Sequence, residues 1–408
     1  MTDLLWPGDH HAGDVFTDAA VADAMIRVEA AWSTALTEAG VAPADALVDP
    51  AALRALIGDG DLDRIAIEAE SGGNPVIPLV KLLRSGLGES ATAQWLHRGL
   101  TSQDVVDTAL MCCSATAFAE IGGELTAQIR ILGRYADRFR ATPMVARTLT
   151  QYAVPMTFGL KAAQWLSGVL DASELLAGVR FPLQIGGAAG TSAALLELAG
   201  PGRDPARLYR AATEVAAREL GLEAVPPWHS VRTAICRVGD ASVACTDAWG
   251  HIANDVLTLS RPEIAEVGEG AGGSSSTMPH KSNPVLSVLI RRAALTGPPL
   301  ASTLHLAAAD AVDERTPGAW HAEWDTLRQL VRRTLVAARQ TTRLLDKLQI
   351  HEDRMASRLQ AAGQAVTSEQ KSMAGIAGLP PAADYLGATQ HLIDAQLERA
   401  RKVIGDRS

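Results

Sequence analysis

The chain has 408 residues, 47% of them apolar and 20% charged, a balance that supplies a buried core and excludes a disordered chain. A formal net charge of -9 argues against nucleic acid as a partner, because neutralising phosphates needs a basic face. No apolar run of about 18 residues occurs, and Met1-Thr2-Asp3-Leu4-Leu5-Trp6-Pro7 lacks the basic start of a signal peptide, so a cytoplasmic protein without membrane association is expected.

Short helices, for example over residues 18–38, are expected in an N-terminal domain spanning 1–95 and broken at Gly72-Gly73-Asn74-Pro75. Strand signals are few: Val76-Ile77 and Leu79-Val80 sit among Pro75 and Pro78. After Thr101-Ser102-Gln103-Asp104, the residues Val106, Leu110, Cys113, Ala117, Ile121, Leu125, Ile129, Leu132 and Ala136 recur at steps of three and four. That stripe predicts one helix to about Arg140, roughly 50 Å long. Thr101 with Asp104 supplies its start signal. Further helices are predicted over about 156–180, 235–259, 285–312 (kinked at Pro298-Pro299) and 320–338. The expected fold is all-α, a central bundle of very long helices over 96–347 with smaller N- and C-terminal helical domains, the last over 348–408. Cys112, Cys113, Cys236 and Cys245 have no metal or redox spacing and read as buried thiols. No His/Cys/Asp/Glu group has zinc spacing, so no metal and no cofactor is expected.

The one low-complexity segment is Val267-Gly268-Glu269-Gly270-Ala271-Gly272-Gly273-Ser274-Ser275-Ser276-Thr277. Gly268, Gly270 and Gly273 match G-x-G-x-x-G in form, but a proline-ended helix precedes them, which argues against dinucleotide binding. The tract runs into Met278-Pro279-His280-Lys281-Ser282-Asn283-Pro284. A glycine hinge joined to a stiff polar segment suits a lid that carries side chains to a closed site; a plain linker is the alternative.

Ser275 to Pro284 resembles the S-S-x-M-P-x-K-x-N-P signature of the fumarase/aspartase superfamily. His97-Arg98-Gly99-Leu100-Thr101-Ser102-Gln103-Asp104 with Asp107-Thr108 resembles a second block of that superfamily. Arg147-Thr148-Leu149-Thr150-Gln151-Tyr152-Ala153-Val154-Pro155 resembles a third. Finer features, among them Thr157-Phe158-Gly159-Leu160-Lys161 and Trp320-His321-Ala322-Glu323-Trp324, resemble its carboxymuconate cycloisomerase branch. Two positions where related lyases carry a catalytic histidine hold none, one of them being Leu149.

The resemblance implies a homotetramer with sites shared between subunits and a small tricarboxylate substrate, lactonised in aromatic degradation. A related lyase acting on a succinyl-type substrate is the alternative, and a helical scaffold without activity a third. The chemistry moves a proton at carbon beside a carboxylate, so charge builds on that carboxylate and needs fixed donors and cations. The resemblance assigns proton transfer to Ser275, with Ser274 leaving the register open by one, and Lys281 and Arg315 join it as the catalytic set. Arg315 could instead pair with Asp313 or Glu314 at the surface. Substrate contacts are expected from Thr101 and Ser102 at a helix N-terminus and from Thr148, Gln151, Asn283 and Arg232, the last toward a carboxylate. His97 either touches ligand or holds the helix entrance.

Overall fold

A computed structural model describes residues 3–270 and 282–405. The N-terminal part carries α1 (Asp18–Glu38), α2 (Pro50–Arg54), α3 (Asp61–Gly72), α4 (Val76–Leu87) and α5 (Ala91–Trp95). The long α6 (Ser102–Arg138) is followed by β1 (Pro143–Thr148), β2 (Gln151–Thr157) and α7 (Phe158–Ala177). Next come α8 (Ala193–Ala199), α9 (Pro205–Leu220), α10 (Thr233–Leu259), β3 (Val267–Gly268), α11 (Val285–Ala309) and α12 (Ala319–Lys347). The chain closes with β4 (Gln349–Ile350), α13 (Glu352–Ala362), α14 (Ser368–Ala377) and α15 (Thr389–Gly405). The fold is all-α in class, dominated by long helices.

Helix boundaries follow local chemistry. Thr17 caps α1, its hydroxyl accepting the Ala20 N–H at 3.2 Å. All nine residues of the stripe on α6 are buried. The α6 helix is long and apolar enough to cross a bilayer, but 72% of its most apolar window is buried within the protein. Residues 76–87 form a helix despite two nearby prolines: Asn74 Oδ1 accepts the Val76 N–H at 3.1 Å, and Pro78 falls in the first turn, where no intrahelical donor is needed. The α11 helix continues through Pro298 and Pro299.

Tertiary contacts divide the chain into two compact units, each assembled from three stretches. This differs from a cut into consecutive segments 1–95, 96–347 and 348–408. Unit one comprises Met1–Ala119, Val179–Asp240 and Pro299–Arg332. Its core holds Trp32, Met111 and Leu304, and Arg332 is tied to Asp9 at 2.8 Å. Unit two comprises Glu120–Gly178, Ala241–Pro298 and Arg333–Ser408. There the buried Gln128 joins three long helices, donating to the Ala338 carbonyl at 3.0 Å and accepting from Trp249 Nε1 at 2.7 Å. A buried amide with both ends satisfied fixes one register between its neighbours, where an apolar side chain would tolerate several.

Unit two also holds a hairpin that the sequence did not announce. Strands β1 and β2 pair antiparallel, with Arg147 opposite Tyr152 and Thr148 opposite Gln151, and α7 starts only at Phe158. Both tip residues, Leu149 (φ 48) and Thr150 (φ 70), are left-handed, the geometry of a tight turn that usually employs Asn-Gly. Leu149 is 95% exposed.

Candidate active site

In unit one the candidate residues gather at the start of α6. Thr101 precedes the first turn, and its N–H donates to Asp104 Oδ2 at 3.0 Å, the expected start signal. Asp104 is fully buried and accepts further bonds from the Gly186 and Gly187 N–H groups, each at 2.9 Å, and from His229 Nε2 at 2.9 Å. Its carboxylate therefore fastens a distant loop to the helix entrance. That loop must approach closely: a Cβ on Gly186 would lie 2.8 Å from Pro227 and 2.9 Å from the His229 ring.

Arg315 comes to the same entrance. Its Nη2 donates to Thr101 Oγ1 at 2.6 Å and its Nε to Gln103 Oε1 at 3.2 Å, while the guanidinium lies 5.8 Å from the centre of the Trp320 ring. It forms no ion pair with Asp313 or Glu314 among the described residues, so the surface-pair alternative is not seen. Thr316 steadies the loop by accepting the Val312 N–H at 3.1 Å. Ser102 is half-buried in the first turn of α6, whose free N–H groups favour an anion. The structure thus brings Thr101, Ser102 and Arg315 into one corner, with the buried Asp104 carboxylate turned toward the Thr101 N–H and Arg315 held by neutral acceptors.

His97 has a left-handed backbone (φ 61) and places Nδ1 2.6 Å from Oε1 of the buried Glu29. Burial alone would push the imidazole down, but the Glu29 carboxylate overrides it and holds the group above its ordinary value. Glu29, an acid on the otherwise Ala-rich α1, was not a sequence candidate; an isolated carboxylate on a buried helical face was the available signal.

Arg232 requires a correction. It was expected to meet a substrate carboxylate, yet it is 5% exposed and its guanidinium is committed inside the protein. Nη1 and Nη2 grip Asp107 at 2.7 and 3.0 Å, and Nε and Nη2 grip Glu323 at 3.0 and 2.5 Å. No donor set remains for a ligand: desolvation opposes the charge, but the two carboxylates raise the Arg232 pKa above its ordinary value. Burial pushes the Glu323 carboxyl up, with Arg232 acting against that rise. Asp107 also accepts Trp320 Nε1 at 2.9 Å and Gln103 Nε2 at 3.2 Å. Gln103 additionally donates to the His229 carbonyl at 2.9 Å.

Unit two holds the remaining candidates. Ser275 and Lys281 lie outside the described residues, as do Ser274 and His280. The described residues flanking them are fixed: β3 pairs with β4, and the buried Glu269 accepts the N–H groups of Leu286 and Ser287 at 3.0 and 2.7 Å. Gly270 (φ 67) is obligatory, since a Cβ would lie 2.0 Å from the Lys347 carbonyl oxygen. Asn283 is half-buried, and its carbonyl accepts the Val285 N–H at 2.9 Å. Thr148 and Gln151 face each other, exposed, beside the hairpin tip. Arg147 is held bidentately by the buried Glu266 at 2.8 and 2.9 Å. A cavity of about 750 Å³ lies beside the hairpin, lined by Arg147, Gln151, Tyr152, Lys161, Arg261 and Arg358 among others. Among the described residues no group of three or more His, Cys, Asp or Glu could hold a metal ion.

Long helices, an arginine held at the entrance of the longest of them and the three motif blocks define a lyase of the fumarase/aspartase type. A family model described as lyase matches residues 10–296, and the chain belongs to that family. It is 43% identical over 367 residues to a nitrosuccinate lyase of Streptomyces davaonensis, covering 87% of this chain and 76% of the relative. It is 36% identical over 388 residues to a 3-carboxy-cis,cis-muconate cycloisomerase of Bradyrhizobium diazoefficiens, covering 92% and 82%. The crystal structure of the 3-carboxy-cis,cis-muconate lactonizing enzyme from Pseudomonas putida aligns with a TM-score of 0.80 at 30% identity, over 97% of this chain and 88% of that one.

Proposed function

We propose that this enzyme eliminates a leaving group from a substituted succinate, with nitrosuccinate as the first substrate to test. The observation that carries the reading is Arg315, held at the entrance of α6 by a hydroxyl and an amide oxygen and paired with no carboxylate among the described residues. Such a corner stabilises a substrate carboxylate as charge builds on it. The relative at 43% identity supports nitrosuccinate as that substrate. In this reaction a base removes the proton from the methylene carbon, the electron pair forms the double bond, and nitrite leaves the neighbouring carbon with the bonding pair. The products are fumarate, nitrite and a proton. By resemblance to the superfamily signature, the base is assigned to Ser275 and a charge-stabilising role to Lys281. Members of this superfamily are generally homotetramers acting on small carboxylates, and a tetramer with shared sites is proposed here. The four unpaired cysteines suit the reducing cytoplasm.

A second reading is lactonisation of 3-carboxy-cis,cis-muconate, favoured by the Trp320-to-Trp324 block and the relatives at 36% identity. One experiment separates the two. Purified protein is incubated with nitrosuccinate, reading fumarate by ultraviolet absorbance and nitrite colorimetrically, and with carboxymuconate, reading loss of the diene band. Equal release of fumarate and nitrite is the expected result. Turnover of the diene alone would establish the second reading, and turnover of neither would refute both.

A further inference from the structure

Gln103 is 1% exposed, yet every polar function of its side chain is used. Its amide NH2 faces the Asp107 carboxylate and the His229 carbonyl, two groups that can only accept. The amide oxygen is thereby forced to point the other way, where it takes the Arg315 Nε–H at 3.2 Å. Asp107 cannot turn, because Arg232 and the Trp320 indole hold it. A chain of fixed contacts therefore runs from the buried Glu323–Arg232–Asp107 cluster through Gln103 to an exposed guanidinium.

Among the described residues Arg315 donates to neutral acceptors, Gln103 and Thr101, and its Nη1 has no partner. We propose that Gln103 is a positioning residue that orients Arg315 without discharging it, leaving a full positive charge and a free donor edge for a substrate carboxylate. A carboxylate at position 103 would hold the guanidinium as firmly but cancel its charge. This inference rests on Arg315 being the carboxylate-binding group of the proposed reaction.

The test is Gln103→Glu, which keeps size and shape. Ionised, the introduced carboxyl would neutralise Arg315; protonated, it would donate to Asp107 or His229 and accept from Arg315, as glutamine does. The charged and titratable groups around this position are Asp107 of α6, His229 and Arg232 before α10 and Arg315 before α12, with Asp104 beside the His229 ring and Glu323 of α12 behind Arg232. Succinate binding is measured by calorimetry on the full chain at pH 8 and pH 6, for wild type, Gln103→Glu, Gln103→Met and Arg315→Met. We expect Gln103→Glu to bind about tenfold more weakly at pH 8 and to recover toward wild type at pH 6. Gln103→Met keeps the charge of Arg315 but not its orientation, and should weaken binding by a similar factor at both pH values. Wild-type succinate binding that survives Arg315→Met would remove Arg315 from the site, and the proposed reaction's carboxylate corner with it. Loss in Arg315→Met but affinity within twofold of wild type in both Gln103 variants would overturn this inference alone. No succinate binding by the wild type would overturn both. Should Gln103→Glu not fold, Gln103→Met decides: weaker succinate binding at an unchanged melting temperature supports the positioning role, and affinity within twofold of wild type, or a loss that tracks a lowered melting temperature, overturns it.

Discussion

Replacing Arg232 by Met separates a buried structural cation from a substrate ligand. The substitution keeps bulk and leaves Asp107 and Glu323, at 0% and 1% exposure, facing each other without a cation. Breaking a buried ion pair from one side costs about 3–5 kcal/mol. For compact units of this size that corresponds to a melting-temperature drop of roughly 6–20 °C. The sign of the pH dependence follows from the carboxyls. Glu323 is already raised above 4.5 by burial, and removing Arg232 takes away the influence that opposes the rise. A raised carboxyl contributes its stability below its ordinary value and loses it as pH climbs through the folded value. The variant should therefore be more damaged at pH 7.5 than at pH 5. Thermal or urea unfolding by circular dichroism at both pH values measures this, with Arg232→Lys restoring part of the loss. A variant within about 1 kcal/mol of wild type, with KM alone raised, would mean that Arg232 faces substrate after all.

Three further outcomes are expected. His97 is raised above 6.5 by Glu29, so the pair stabilises the fold below that pH and its contribution fades as pH rises through the folded value; Glu29→Gln should erase this slope in a melting series from pH 6 to 8.5, and parallel curves would contradict it. Changing Leu149-Thr150 to Asn-Gly relieves two left-handed residues and should gain about 1 kcal/mol in urea unfolding; no gain would show that the tip is unstrained. Gly270→Ala forces a contact with Lys347 and should cost about 1–3 kcal/mol together with activity, whereas Gly123→Ala, with open space around it, should be neutral or stabilising; equal behaviour in unfolding assays would refute the steric argument.

The helices were legible because burial imposes a period: the stripe from Val106 to Ala136 and the Thr101–Asp104 start signal describe α6 to within two residues of its end at Arg138. The hairpin was not, since its turn is Leu149-Thr150 and its second strand contains Pro155, neither of which announces a strand pair. Thr101 could be named from a motif block and Arg315 from the family resemblance, and their meeting across 214 positions became visible only in three dimensions. Arg232 was misassigned for the same reason: its partners lie 125 and 91 positions away, and a sequence gives no account of which carboxylate an arginine meets. Glu269 and Gln103 stood inside or beside recognised blocks, where an acid before a glycine tract and an amide between two hydroxyl-bearing and acidic neighbours were the only hints.

The four cysteines carry a practical consequence. All are buried, and desolvation pushes Cys112 to about 11 and Cys113 and Cys245 to about 12. Thiolate is the nucleophile, so maleimide or an oxidant finds almost none in the native state. Labelling then reports only molecules that have opened, and Cys113 in unit one and Cys245 in unit two act as separate clocks for the two halves. Mass spectrometry of a timed alkylation would tell whether the units let go together or in turn, with no engineered probe.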